Sequence, residues 1–572
     1  MRRDDDFEPK VGRIRDRGGN AASKVRSFAS EVAAAARKAG LGSMDLGPRR
    51  SVRSFGRGRS IPRSQGQRQV VVKGRVIRHR GQRFRAAGLG AHLYYLRRGG
   101  AGRDGRAGEA FDRDGVADHD SFAKRAEPDR HHFRFIVSPE DAAQLTDLRA
   151  TTRDLVAQME KDLGTRLDWI AVDHWNTDNP HVHLLVRGVA DDGRDLVIDR
   201  DYMAHGLRER AKQLVTQELG PRSALEIAAA ADREVEAERW TGLDRRLRDR
   251  IEPSSGHVDL RPSGRNDTEE RRRLIGRAQV LQRYGLAEEV SSGRWRVAKD
   301  LEARLREIAL RGDIIKTLHQ AQGGIDRDPA SMVIEGETLE APVTGRVADR
   351  GLHDELNGQA YVIVDGVDGR LHHFRFRDLA ASGDTPVGGL VEVRSTVDAD
   401  GVSSLSLLHR SDLSITAQVS AKGATWLDRQ LVVAEPTALA QHGFGAEVHD
   451  ALDRRRDYLG SAGLGETRDG KFQPARKLIA KLRDYELDQV KAKLAASGKA
   501  VVTGGEGDQV SGLYARRLDL ASGRFAMIDD GLGFQLVPWT RSLESRLGQE
   551  VSGTITNSGV DWSFGKKRGL GL

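Results

Sequence analysis

A multi-domain α+β protein is what this sequence predicts, and three observations carry the expectation. At 572 residues the chain is too long for one hydrophobic core, so roughly three to five domains are expected. Between Gln69 and Gly220, Val-rich strand-like runs alternate with helical periodicity in the order strand, helix, strand, helix, strand, strand, helix, which suits an antiparallel sheet with helices packed on it. From about Thr338 strands dominate, and two stretches look alike: VTGRV, AYVIVDGVDGRLHHFRF and GGLVEV between Val343 and Val393, then VSGLY, RFAMIDDGLGFQLVPW and GQEVSGTI between Val510 and Ile555. Each has a leading Val-[Ser/Thr]-Gly, a central strand ending in Asp-Gly, a second strand and a closing strand, so duplicated small β-barrels are expected. The expected division is 1–66 basic, largely disordered tail; 67–222 sheet-and-helix domain; 223–330 helical linker and winged-helix-like region; 331–412 small β-barrel; 413–500 mainly helical region; 501–572 second small β-barrel.

Taken in order, residues 1–66 are rich in Arg, Gly and Ser, with one plausible helix from Ala22 to Lys38. QVVVKGRVIR, Gln69 to Arg78, reads as a strand, and Ala86 to Arg98 as a short helix before a Gly-rich loop. HHFRFIVS, His131 to Ser138, is a further strand, with His131 and His132 read as structural or nucleic-acid-facing. Ser138-Pro139-Glu140-Asp141 predicts a helix start, with Ser as N-cap and Pro at the first helical position. Leu145, Leu148, Leu155, Met159 and Leu163 continue it at helical spacing to a stop at Gly164. Two strands follow, then a helix from Tyr202 to Leu219, stopped by Gly220-Pro221. Further on, Leu274, Ala278 and Leu281 line a helix, Ser292-Gly293 turns a hairpin, and another helix begins near Asp300. That is a winged-helix pattern, with Arg294 and Arg296 on the wing as a second nucleic-acid contact or the whole as a structural spacer. Residues 425–498 read as helical.

Composition narrows the function classes. With no cysteine the chain has neither a disulfide frame nor a zinc–thiolate site, which fits a reducing cytoplasm. No apolar run approaches the roughly 20 residues that span a bilayer, and MRRDDDFEPK lacks a signal peptide's apolar core. The net charge of +9 is unevenly spread: residues 1–100 hold 25 Lys+Arg against 7 Asp+Glu, a net of +18, which leaves −9 for the rest. Such a block is the electrostatic footprint of a nucleic-acid partner, and Lys73, Arg75, Arg97 and Arg98 are its candidate DNA-binding members.

The chemistry concentrates between Leu167 and Gly188, LDWIAVDHWNTDNPHVHLLVRG, which holds His174, His181 and His183. Residues two apart on a strand share a face, so His181 and His183 aim at one point, and a hairpin turned by Asp-Asn-Pro lets His174 join them. Three neutral imidazoles hold a divalent metal without cancelling its charge and leave coordination positions open, a set suited to gripping and polarising a phosphate oxygen.

The spacing H-x(6)-H-x-H, ending one apolar strand and opening another, resembles the metal motif of HUH endonucleases, closest to the conjugative relaxases of the MobA/VirD type. The resemblance implies an HUH relaxase domain: a nuclease using Mg²⁺ or Mn²⁺ that cuts one strand at an origin of transfer and becomes joined through a tyrosine to the new 5′ end. Tyr-Leu-Arg-Arg-Gly, from Tyr95, resembles the first motif of these relaxases and places the nucleophile at Tyr95, with Tyr94 as fallback. A phenol oxygen can attack a phosphodiester and conserve its energy in a phosphotyrosine, but it needs a metal, cation or base beside it. The chain departs from many relatives in having Asn176 and Thr177 where a carboxylate follows the first histidine; Asp173 and Asp178 flank the site instead, as groups that could orient a ring. The resemblance further implies origin-of-transfer DNA, relaxosome accessory proteins, a separate helicase (no P-loop is present), a type IV secretion coupling protein, and a bacterial cytoplasmic protein exported to the recipient with DNA attached. It covers about residues 69–220; the region beyond resembles, more loosely, the uncharacterised C-terminal domain following some relaxases, down to DWSFGKKRGL. A rolling-circle replication initiator or transposase of the HUH class would share the chemistry, and a DNA-binding regulator or scaffold would have inert histidines.

Overall fold

The computed structural model describes residues 66–79, 87–97, 101–103, 105–175, 179–252, 256–262, 269–321, 327–354, 356–397, 401–468, 471–496, 500–556 and 559–564. The helix expected at Ala22–Lys38 therefore lies outside the described residues, as do Arg98, Asn176, Thr177 and Asp178. The fold is mixed α and β, dividing into compact units at residues 1–312 and 313–572. Among the described residues no helix is long and apolar enough to cross a membrane.

The first sheet is built from β1 (Val70–Arg78), β2 (Ala110–Phe111), β3 (His131–Pro139), β4 (Trp169–His174) and β5 (His181–Arg187), in the order β1-β3-β5-β4-β2. Every pairing in it is antiparallel. Strand alternation sorts its side chains onto two faces. On one, Val70, Val72, Phe133, Phe135, Val182, Leu184 and Trp169 form a core with α3 (Leu148–Leu163) and α4 (Leu207–Leu219). On the other, Ile170, Val172, Leu185 and Ala110 meet Leu89, Leu93 and Leu96 of α1 (Ala87–Leu96) and Phe122 of α2 (His119–Ala126). Apolar residues on both faces of β4 and β5 explain why those strands read as continuous apolar runs.

One expected boundary is wrong. Ser138-Pro139 does not open a helix: both residues finish β3, Val70 pairing with Pro139 and Val71 with Ser138. The helix starts at Leu148, where Asp147 caps it by accepting from Arg149 N–H. Pro139 at the end of a strand loses no ladder bond that matters, so the strand signal before it wins. The stop at Gly164 is as expected, with φ 68°.

Beyond the first sheet the chain repeats a pattern. α5 (Ala224–Glu236), α6 (Gly242–Asp249) and α7 (Glu269–Arg283) lead to the hairpin β7 (Ala287–Ser291)–β8 (Arg294–Val297), which β6 (His257–Asp259) joins, and then to α8 (Leu301–Ala321). The region expected to be mainly helical has the same plan: α9 (Ile415–Val419), α10 (Trp426–Val432), α11 (Gly443–Ser461), hairpin β15 (Gly465–Arg468)–β16 (Lys471–Pro474), and α12 (Leu478–Ala495). The likeness extends to single bonds. Thr241 and Asp244 form a capping box at the start of α6, as Thr425 and Asp428 do at α10. Arg277 then binds Asp244 through two nitrogens and the carbonyls of Val235, Ala237 and Arg239. Arg455 binds Asp428 and the carbonyls of Val419, Ala421 and Gly423 in the same way.

Each helical segment is followed by a six-stranded sheet. The first is β9 (Met332–Ile334), β10 (Val343–Asp354), β11 (Gln359–Gly366), β12 (Leu371–Phe376), β13 (Leu390–Val397) and β14 (Ser403–Ser411), in the order β14-β13-β10-β11-β12-β9. The second is β17 (Ala500–Val501), β18 (Gln509–Leu520), β19 (Gly523–Asp529), β20 (Gly533–Pro538), β21 (Glu550–Thr556) and β22 (Gly559–Ser563), in the order β17-β20-β19-β18-β21-β22. In both, the leading short strand pairs parallel at one edge, and the long second strand carries a bulge. The expected duplication is there, but the barrels are not: each sheet ends in two edge strands, and among the described residues no pairing closes the ring. The Val-[Ser/Thr]-Gly signal has a steric cause. A Cβ at Gly345 would collide with the Asp365 carbonyl, and one at Gly512 with that of Asp529.

Candidate metal centre

The three histidines converge. His174 ends β4 directly opposite His181, which opens β5, and Val172 faces His183. The hairpin thus puts all three rings on the face that α1 covers. They are 0%, 8% and 2% exposed. One ligand nitrogen from each ring lies within 4.8 Å of the others. The Nε2 atoms of His181 and His183 are 3.2 Å apart. Two nitrogens each about 2.0–2.1 Å from a common ion, at octahedral to tetrahedral angles, stand about 2.8–3.4 Å apart, so the pair fits as it is.

Main-chain carbonyls set the ring tautomers. His174 Nε2–H donates to the carbonyl of Leu96 at 2.8 Å, which leaves Nδ1 as its basic nitrogen. His181 Nδ1–H donates to the carbonyl of Asn179 at 2.9 Å, leaving Nε2 basic and turned to His183. Outer partners that fix the tautomer and raise basicity are what a metal-binding imidazole needs. The donor set therefore fits a divalent cation.

The first of these bonds ties the centre to α1, because Leu96 directly follows Tyr95. Tyr95 is half-buried and packs against the cluster of Leu93, Val172 and Leu185. Tyr94 lies on the same helix, and its side chain is outside the described residues.

The remaining candidates fall less evenly. Asp173 does not orient a ring. Strand alternation sends it to the opposite face, where it accepts from Arg149 Nε at 2.9 Å and Trp175 Nε1 at 2.7 Å. Arg97 donates to the His119 ring at 2.8 Å. Lys73 and Arg75 do share the triad's face: Lys73 pairs with Ile136, which pairs with His183, and Arg75 pairs with Arg134. The wing arginines are already matched, Arg294 with Glu252 at 3.4 Å and Arg296 with Glu288 at 2.9 Å.

Two features escaped the sequence reading. The main-chain carbonyls of Leu96 and Asn179 leave no signature in residue identity. Arg134 did leave one: in HHFRFIVS it alternates with Ile136, on the side that register gives to His183.

The family described as "protein of unknown function (DUF3363)" matches residues 274–402 and 395–571, just over half of the chain, and the chain belongs to it. The matched span takes in both six-stranded sheets and begins beyond His174, His181 and His183. No curated protein and no solved structure matches the chain.

Proposed function

We infer that the first sheet carries a DNA relaxase: a site- and strand-specific endonuclease that nicks at a plasmid or integrative-element origin of transfer and keeps the 5′ end as a phosphotyrosine. The observation behind the reading is one bond pattern. Three buried imidazoles meet within 4.8 Å, and one of them is hydrogen-bonded to the residue after Tyr95. His174, His181 and His183 would hold Mg²⁺ or Mn²⁺, which when bound withdraws charge from a phosphate oxygen. Tyr95 (Tyr94 as fallback) would supply the nucleophile; its phenol oxygen bonds to phosphorus as the 3′ oxygen leaves, so bond energy is kept for rejoining. Lys73 and Arg75 supply positive charge on the same face. Origin DNA, accessory proteins, a separate helicase and a type IV coupling protein belong to the same reading, as does passage from the bacterial cytoplasm to the recipient.

The test is a supercoiled plasmid bearing the cognate origin, incubated with the full chain and Mg²⁺ or Mn²⁺. Nicked circles with protein on the 5′ end are expected, and peptide mapping of the adduct assigns the tyrosine. An intact plasmid, or nicking that survives loss of both Tyr94 and Tyr95, overturns the reading.

A further inference from the structure

Among the described residues, five arginines are buried: Arg68, Arg134, Arg277, Arg455 and Arg524. Four of them pair with a carboxylate. Arg134 does not. Its one hydrogen bond among the described residues runs from Nε to Nε2 of His132 at 3.0 Å. Burial, and then the nearby Arg75 cation, pull its pKa down to about 10. A cation kept dry beside another cation, with no carboxylate bonded to it among the described residues, is costly to maintain.

Its place gives that cost a purpose. Arg134 is diagonal to His183 across β3 and β5, on the triad's face, with roughly 7–8 Å between such neighbours. Arg75 is directly opposite it on β1, and exposed Lys73 lies two residues along.

The guanidinium is also braced. Because Arg134 Nε–H donates to His132 Nε2, His132 carries its proton on Nδ1, and donates it to His79 Nε2 at 2.7 Å. His79 then carries its own proton on Nδ1 and donates it to the Asp129 carbonyl at 2.7 Å. Every proton in this relay is assigned with both rings neutral. His132 is pushed well below its ordinary pKa, first by burial and then by the Arg134 cation. The relay engages only Nε, leaving the paired terminal nitrogens of Arg134 for a planar, two-pronged grip on an anion.

We propose that Arg134 and Arg75 form a seat for a backbone phosphate of single-stranded DNA, beside the phosphate addressed by the triad, with His79 and His132 as positioning residues. Lys73 continues the track. The assignment of the seated phosphate to the cleaved strand rests on the nuclease reading; the seat itself does not.

The experiment measures binding of a fluorescently labelled DNA single strand to the full chain in EDTA, across a salt series. Arg134→Met is expected to weaken binding about ten-fold and to lower the slope of log K against log[salt] by about 0.7, the loss of one phosphate contact. Arg134→Lys keeps most of the slope and loses part of the affinity. Melting temperature should hold or rise in Arg134→Met, since an apolar chain replaces an unbalanced buried cation. An unchanged slope overturns the proposal. So does a Met variant that melts lower or fails to fold, because the arginine is then structural. His181→Ala should abolish metal-dependent nicking. A wild-type chain that binds with the expected slope yet never nicks sinks the nuclease reading alone, whereas one that nicks and is indifferent to Arg134→Met sinks the seat alone.

Discussion

Three buried polar groups in the first sheet and three in the tandem repeat that follows it in sequence meet the same desolvation problem in opposite ways. In the repeat, the protein itself uses up the bonding capacity of Arg277, Arg455 and His372. Arg277 and Arg455 are each ringed by one carboxylate and three carbonyls. His372 has Glu335 on Nδ1 at 2.7 Å and Asp368 on Nε2 at 3.1 Å. In the first sheet, His174 and His181 each donate from one ring nitrogen to a carbonyl, and both rings lie beside His183, 4.4 and 5.0 Å away between centroids, while Arg134's one hydrogen bond among the described residues is to an imidazole. Groups of the first kind hold a fold together; on the function proposed above, groups of the second kind serve a metal ion and a phosphate.

The sharpest way to break this contrast is a pair of tyrosines. Tyr95→Phe should cut plasmid nicking by about 10³-fold or more. Tyr202→Phe should leave nicking unchanged and cost about 1 kcal/mol in denaturant melts, because the Tyr202 hydroxyl already donates to Asp162 at 2.9 Å. Equal losses of nicking would dissolve the distinction.

Next come the twin cages. Arg277→Ala and Arg455→Ala each leave a fully buried aspartate without its cation, so each should destabilise its own region by about 3–5 kcal/mol in chemical denaturation. A cost under about 1 kcal/mol for either would show that the cages are not equivalent.

Metal titration distinguishes the two histidine environments. At about a hundred-fold excess over its dissociation constant, Mn²⁺ should stabilise the first sheet by about 2.7 kcal/mol, a gain absent in His181→Ala and kept in His372→Ala. Scanning calorimetry with and without Mn²⁺ reads it.

The pH response of the repeat is smaller. Burial presses the His372 pKa down, but Asp368 and Glu335 outweigh it, and the value stands above the ordinary 6.5. A raised folded-state pKa means the ion pairs contribute fully below pH 6.5 and fade as pH climbs through the folded value. Melting temperature should fall over that window in the wild type and stay flatter in His372→Gln. Smallest of all, Arg294→Ala with Arg296→Ala should change DNA affinity less than about two-fold, since both cations already face glutamates.

The sequence made the histidine centre legible because period-two spacing and a turn-forming Asp-Asn-Pro fix a hairpin almost by themselves. Gly164 was legible for the same local reason: its backbone needs φ 68°. The helix start at Ser138 misled, because a good capping signature met a strand already committed to pairing with β1. The second helix–hairpin–helix was hidden. What it shares with the first is a bond cage built from Thr425, Asp428 and Arg455, residues whose contacts come from tertiary packing rather than from local periodicity. The destination of Asp173 follows from strand alternation, yet adjacency to His174 made the opposite assignment attractive.

The parallel edge strands β9 and β17 have a temporal consequence. Each leaves the ribosome ahead of the rest of its sheet, yet pairs with a strand that comes later, Met332 beside Leu371 and Ala500 beside Gly533. Neither can find its place until the intervening hairpins exist to receive it. During synthesis each leading segment must wait as unpaired chain until that later strand has formed, while two further strands of the same sheet are still to come.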